Sequence, residues 1–239
     1  MRKQNQRNRT PPQEMRGTKT IVLVGGGGHA KAVADAIIQS AQYDLVGILD
    51  RGKIVGDIVF QTSERTVTVV GSDEDSLFLK RAENAVICIG DNILRRKVYE
   101  KLSVEYPNLG FPVIVHPSAV LALDVAVGQG TVVLAGAVLS SSVSVGEFCI
   151  LNTRSSIDHD SKLSNYSFIG AGATLCGSVL VGEESFVGAG ATVIQGKQIA
   201  SKSLIGAGSL VTNNILSNTL AYGVPAIYIR SRSDQERYL

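Results

Sequence analysis

The sequence predicts an α/β unit with a small parallel sheet followed by an all-β parallel β-helix, and three observations predict it. From Val113 to Asn214 the chain runs in an unbroken frame of seventeen hexads whose third residue is always Val, Leu or Ile. Ahead of that frame, short aliphatic runs alternate with helical stretches. Between the first run and the first helical stretch lies Gly25-Gly26-Gly27-Gly28-His29-Ala30. The expected organisation is a disordered basic arm over 1–18, a Rossmann-like unit over 19–112, the β-helix over 113–229 and a C-terminal tail over 230–239.

A fixed short period with a constant aliphatic site is the signature of a parallel β-helix. Three hexads close one triangular coil and the third-position side chains, from Val115 to Val211, stack inward. With strands about 4.8 Å apart, about six coils make a prism roughly 27 Å tall. A composition 44% hydrophobic but only 5% aromatic, with no Trp, suits a core of stacked aliphatics. The repeat by itself carries no chemistry, so a purely structural solenoid stands beside any functional reading.

In the first unit Thr20–Val24 reads as a strand and Lys31–Ser40 as a helix, with Val33, Ala36 and Ile37 at helical spacing. Leu45–Leu49 is a second strand ending at Asp50, Val67–Val70 a weaker third and Ala85–Ile89 a clear fourth. Gly90-Asp91-Asn92 then opens a charged helix from Ile93 to about Tyr106. Strand alternating with helix implies a small parallel sheet. Glycines between strand and helix let backbone approach a phosphate, which the helix N-terminus favours; such turns also serve tight packing alone. Gly25-x-Gly27-x-x-Ala30, with Asp50 about twenty residues on, fits the dinucleotide pattern. The unit is small for a full dinucleotide site, so a nucleotide-diphosphate sugar is the better size match.

Charge and cysteines exclude several classes. Residues 1–20 carry a balance of +5, leaving −3 for the rest, so the folded body is not basic and no nucleic-acid partner is expected. The arm has Pro11-Pro12 and no apolar stretch, so neither a signal peptide nor an integral membrane segment is expected. Cys88, Cys149 and Cys176 form no disulfide framework and no metal-ligand spacing, which fits a reduced, cytoplasmic setting and no metal.

Three histidines are candidates for chemistry. His29 ends the glycine loop, as a cap or as a donor to phosphate or sugar. His116-Pro117-Ser118 marks the junction into the first coil and reads as structural. His159 follows the inward Ile157 at position five of its hexad, which faces out or lies at a corner, between Asp158 and Asp160. A carboxylate beside imidazole raises its basicity, which suits a general base; an ordinary surface histidine is the alternative. No nucleophile elbow is present, so nothing supports a covalent mechanism.

With these markers the chain resembles the bacterial sugar O-/N-acyltransferases, which include sialic-acid O-acetyltransferases, UDP-4-amino-sugar (bacillosamine-pathway) N-acetyltransferases and perosamine N-acetyltransferases. The resemblance covers about residues 19–229 and rests on Gly27–Ala30, Cys88–Asn92 with Arg95, His116–Ala119, Ile150–Thr153 with His159-Asp160, and Tyr222–Ala226. It implies a left-handed β-helix, a homotrimer and acetyl-CoA in the cleft between neighbouring prisms. Prism faces without a charge between Thr131 and Val145 suit such a trimer. It also implies that Gly27, Gly28, His29, Asp50, Arg51 and Gly90 line a nucleotide-sugar site, that His159 is the catalytic base with Asp160 as its acidic neighbour, and that Phe168, Ala189 and Ala207 touch acetyl-CoA. The Gly223–Ala226 segment resembles the ending that closes over the coenzyme. Phe168 stands where some members carry a second histidine, and acceptor identity turns on that change.

The expected function is acetyl transfer from acetyl-CoA to a nucleotide-linked 4-amino-4,6-dideoxy sugar in surface-glycan biosynthesis. O-acetylation of sialic acid is the alternative enzyme reading, and a non-catalytic nucleotide-binding trimeric scaffold the alternative of another class.

Overall fold

The computed structural model describes residues 18–72, 76–233 and 236–237. The arm expected over 1–18 lies, apart from residue 18, outside the described residues. The first unit is a five-stranded sheet in the order β3-β4-β2-β1-β5. Its strands are β1 (Lys19–Val24), β2 (Tyr43–Leu49), β3 (Ile58–Gln61), β4 (Thr66–Gly71) and β5 (Asn84–Ile87). Helices α1 (Gly28–Ser40), α2 (Ser76–Arg81) and α3 (Asn92–Glu105) complete it.

The order β4-β2-β1-β5 is parallel, the half-Rossmann arrangement the strand–helix alternation predicts. The expectation of an all-parallel sheet is corrected at one edge: β3 pairs antiparallel with β4. A tight connection through Thr62–Arg65 makes this a hairpin, closed by the Thr62 amide donating to the Arg65 carbonyl at 2.8 Å. Antiparallel neighbours need only such a short loop, whereas a parallel pair needs a crossover.

The second unit contains seventeen two-residue strands, β6 (Ile114–Val115) through β22 (Leu210–Val211), each at positions two and three of its hexad. Every third strand pairs in parallel with an 18-residue offset, as Ser156 opposite Thr174 and Ile157 opposite Leu175. Three flat sheets result, and the coil is that of the left-handed β-helix. Position-three residues from Leu139 to Val211 are buried and form one aliphatic column. At the corners, hydroxyls at position one tie successive coils: Ser161 Oγ donates to the Cys176 carbonyl at 3.2 Å and accepts from the Val179 amide at 3.0 Å. From Gly130 to Gly208 position six takes a left-handed φ, and it does so even at Phe148, Arg154, Asp160 and Tyr166. An antiparallel hairpin, β23 (Thr219–Gly223) and β24 (Ala226–Ser231), ends the stack. The tail expected from residue 230 therefore begins inside β24.

The two units are joined by α3. Arg95, 1% exposed, donates from Nε to the Phe148 carbonyl at 2.8 Å and from Nη2 to the Tyr166 carbonyl at 2.9 Å. Its Nη1 reaches back to the carbonyls of Ile89 and Gly90 at 2.9 and 3.1 Å. Asn92, fully buried, donates to the carbonyls of Glu184 and Ser185 at 3.1 and 3.2 Å. The corner residues Phe148, Tyr166 and Glu184 lie one above another at 18-residue intervals, so a single helix face clamps three coils. Tyr99, Phe111, Phe148 and Tyr166 fill the seam with ring contacts, the closest at 4.0 Å between centroids.

Candidate functional site

Two sites emerge, one in each unit. In the first, Gly25 leaves β1 at φ +99, a left-handed conformation that glycine adopts without strain, and a Cβ there would meet the Cys88 carbonyl oxygen at 3.2 Å. Asp50, at the end of β2, braces the loop: its Oδ2 accepts the Gly26 amide at 2.6 Å and its Oδ1 the Gly52 amide at 2.8 Å. Gly27 caps α1, and beyond their chain neighbours and the helix backbone neither it nor Gly28 has an atom within 4 Å of the place a Cβ would take. A cavity of about 450 Å³ opens here, lined by Gly25–Gly27, Asp50, Arg51, Gly90 and, from α3, Leu94 and Val98. Its open glycine backbone at a helix N-terminus suits an anionic ligand.

Gly28 and His29 sit beside this cavity rather than on its lining. His29 lies in the first turn of α1 with its Nε2 buried and without a hydrogen-bond partner among the described residues. Burial, and then the positive charge of Arg95, lower its pKa to about 4, so the ring is neutral at neutral pH. His116 is buried and structural: its Nδ1 accepts the Ser118 amide at 3.0 Å, and its Nε2 lies 3.6 Å from Asp35 of α1.

The second site is at a corner of the β-helix after β13 (Ser156–Ile157). Ile157 is fully buried, which throws the next residues outward; the side chain of His159 is 50% exposed. Its Nδ1 lies 2.8 Å from Asp160 Oδ2, its Nε2 lies 4.0 Å from Asp158 Oδ2, and its amide donates to Asp158 Oδ1 at 2.8 Å. The hydrogen bond to Asp160, followed by the charge of Asp158, raises the pKa of the imidazole. Asp160 itself occupies the left-handed position-six conformation, φ 59, which sets its carboxylate beside the ring.

A residue that the sequence reading passed over completes this corner. Gly177 stands eighteen residues on, directly above His159 in the stack, and a Cβ there would lie 2.6 Å from the ring Cε1 and 2.7 Å from Nε2. The imidazole leans across the space that glycine leaves. The 18-residue offset applied to position five would have found it.

The three positions expected at the coenzyme divide. Ala189 and Ala207 are exposed at position five of successive coils. The position-four glycines of the preceding coil are required: a Cβ on Gly170 would come within 2.6 Å of the Ala189 amide nitrogen, and one on Gly188 within 2.5 Å of the Ala207 amide nitrogen. The result is a smooth corner of small side chains and exposed backbone. Phe168 is 8% exposed and stacks on Phe186, centroids 4.4 Å apart and planes at 10°. Its ring contributes an apolar wall and cannot hydrogen-bond.

Among the described residues, no group of three or more His, Cys, Asp or Glu is arranged to hold a metal ion, and no helix is long and apolar enough to cross a membrane. Burial raises the thiol pKa of Cys88 and Cys149.

A solenoid carrying an exposed His–carboxylate pair, joined to a glycine-loop α/β unit, is the layout of a hexapeptide-repeat acyltransferase. Residues 20–102 match the PglD N-terminal domain family. PerB from Caulobacter crescentus, solved in complex with CoA and GDP-perosamine, is 33% identical with a TM-score of 0.80, over 88% of this chain and 97% of that one. The acetyltransferase domain of PglB from Neisseria gonorrhoeae, in complex with acetyl coenzyme A, is 28% identical with a TM-score of 0.78, over 89% and 100%. A UDP-N-acetylbacillosamine N-acetyltransferase of Bacillus subtilis is 34% identical over 121 residues, 49% of this chain and 52% of the relative. The chain thus spans about half the length of that curated relative. The chain belongs to the bacterial sugar acyltransferase family that includes the perosamine and UDP-4-amino-sugar N-acetyltransferases.

Proposed function

We propose that this protein transfers the acetyl group of acetyl-CoA to the amine of a nucleotide-linked 4-amino-4,6-dideoxy sugar, with His159 as general base. The observation that carries the catalytic assignment is the 2.8 Å His159–Asp160 pair on an exposed corner, its ring seated over Gly177. His159 Nε2 takes a proton from the acceptor amine as the nitrogen attacks the thioester carbonyl. The N–C bond forms, the C–S bond breaks, and the proton passes on to the departing thiolate. Asp160 orients the ring and stabilises the imidazolium. A backbone amide near the reacting carbonyl supplies the oxyanion donor, an interaction worth about 3–4 kcal/mol. The small-residue corner at Ala189 and Ala207 fits the coenzyme, since it exposes backbone amides and admits a long flexible ligand.

The acceptor's nucleotide belongs to the cavity at Gly27, Asp50, Arg51 and Gly90, with Gly28 and His29 at its margin. The units 19–112 and 113–229 then act as acceptor and acetyl-donor domains. We further assign the working form to a homotrimer, whose cleft between prisms would bring the coenzyme corner of one subunit to the His159 of another, in a cytoplasmic enzyme. Thiol release from acetyl-CoA tests the acceptor assignment. Release with a UDP- or GDP-linked 4-amino-4,6-dideoxy sugar is expected. Release only with free sialic acid would transfer the chain to the O-acetylating branch.

A further inference from the structure

The cavity at the glycine loop has one lining residue from far outside its own unit, Arg237. It comes from the segment after β24 and is placed by a fastened network. Arg230 forks onto Glu236, Nη1 to Oε2 at 2.8 Å and Nη2 to Oε1 at 2.7 Å. Arg232, 6% exposed, donates to the Lys202 carbonyl at 2.9 Å and to the Glu236 carbonyl at 2.7 Å. The Arg230 contact, before all else, holds the Glu236 carboxylate down at about 2, so the clasp stays charged across the working pH range. The residue after Glu236 is thereby held at the lining of the cavity.

Among the described lining residues, anions for the Arg237 guanidinium to meet are few. Among the described lining residues Asp50 is the one carboxylate, and both its oxygens already accept loop amides. Arg51 also lines the cavity. A lining that joins two arginines to glycine backbone at a helix N-terminus suits a multiply charged anion. We infer that Arg237 binds the diphosphate of the nucleotide-sugar acceptor, so that the strap after the β-helix completes a site otherwise built by the α/β unit. This rests on the reading of the cavity as the nucleotide site.

Calorimetric titration of the full chain with UDP and GDP, and with uridine and guanosine, tests it in wild type and Arg237→Ala. Arg237→Ala should weaken binding of the preferred diphosphate about 10- to 100-fold, the range of a charge-assisted hydrogen bond. Affinity for the nucleoside and the KM for acetyl-CoA should stay unchanged. Glu236→Gln, which loosens the clasp without touching the cavity, should reproduce part of the loss. Unchanged diphosphate affinity, or an equal loss for the nucleoside, would overturn the assignment. Tighter binding by the variant would make the strap a plug and overturn it too. A wild-type protein that binds neither diphosphate would remove the cavity's nucleotide reading itself, a failure visible before any variant is made.

Discussion

Replacing Gly177 by Ala is the sharpest perturbation of the His159 corner, because it adds a single methyl to a residue with no chemistry of its own. The new Cβ would lie 2.6 Å from His159 Cε1 and 2.7 Å from Nε2. Ordinary carbon contacts lie at about 3.5–4.0 Å, so the ring must retreat by about 1 Å. Gly177 is not in the left-handed region, so alanine suits the backbone, and the half-exposed ring has solvent to move into. The cost therefore falls on geometry rather than on folding. A shift of that size stretches the 2.8 Å Nδ1–Asp160 contact beyond hydrogen-bond range and turns Nε2 from the acceptor. Misplacement by 1 Å costs about 10²-fold in rate. Steady-state kinetics should show kcat down by about that factor with the KM for acetyl-CoA unchanged and the unfolding midpoint barely moved. Combined with His159→Ala, the second change should add nothing. Wild-type kcat in Gly177→Ala would refute the seat described for the ring.

Other predictions test the remaining parts. Rate should fall as pH drops through a His159 pKa raised above the ordinary 6.5, and Asp160→Asn should move that acid limb to lower pH while lowering kcat, read from pH–rate profiles. His29 is held neutral with a pKa of about 4, so the unfolded chain takes up its proton first; about 3 kcal/mol of stability should be lost between pH 6.5 and 4, and His29→Gln should flatten that slope in urea titrations. Arg95→Met strands buried carbonyls at Phe148 and Tyr166 and should cost on the order of 3 kcal/mol or more, measured by denaturant unfolding. Gly130→Ala should also destabilise, through φ +66 and a collision with the Phe148 ring, whereas Gly27→Ala should fold normally and weaken nucleotide binding.

The β-helix was legible because one constraint, an inward aliphatic every sixth residue, repeats without a break. The frame also put His159 on the outside, where it is found. The left-handed φ at position six was less legible: glycine marks it at Gly136 and Gly172, but Phe148, Arg154 and Tyr166 adopt it because the coil closure overrides their preference. Strand β3 was missed because Ile58–Gln61 is a short edge segment with a single buried residue, Val59, and so carries no alternation to read. Helix α1 starts at Gly28, three residues before the apolar periodicity, because the loop itself turns into the helix. Arg95 looked like a family marker; its work as a clamp depends on carbonyls 53 and 71 residues away, which no local pattern reveals. Arg237 was invisible for the same reason, since only the folded clasp at Glu236 brings it to the glycine loop.

The general-base role of His159 is tested by kcat of His159→Ala with acetyl-CoA and a nucleotide-linked 4-amino-4,6-dideoxy sugar, alongside coenzyme binding by the same variant. With His159 as general base, kcat is expected to fall by about 10²–10⁴ with coenzyme affinity retained. Wild-type turnover in the variant would contradict it and remove His159 from the mechanism.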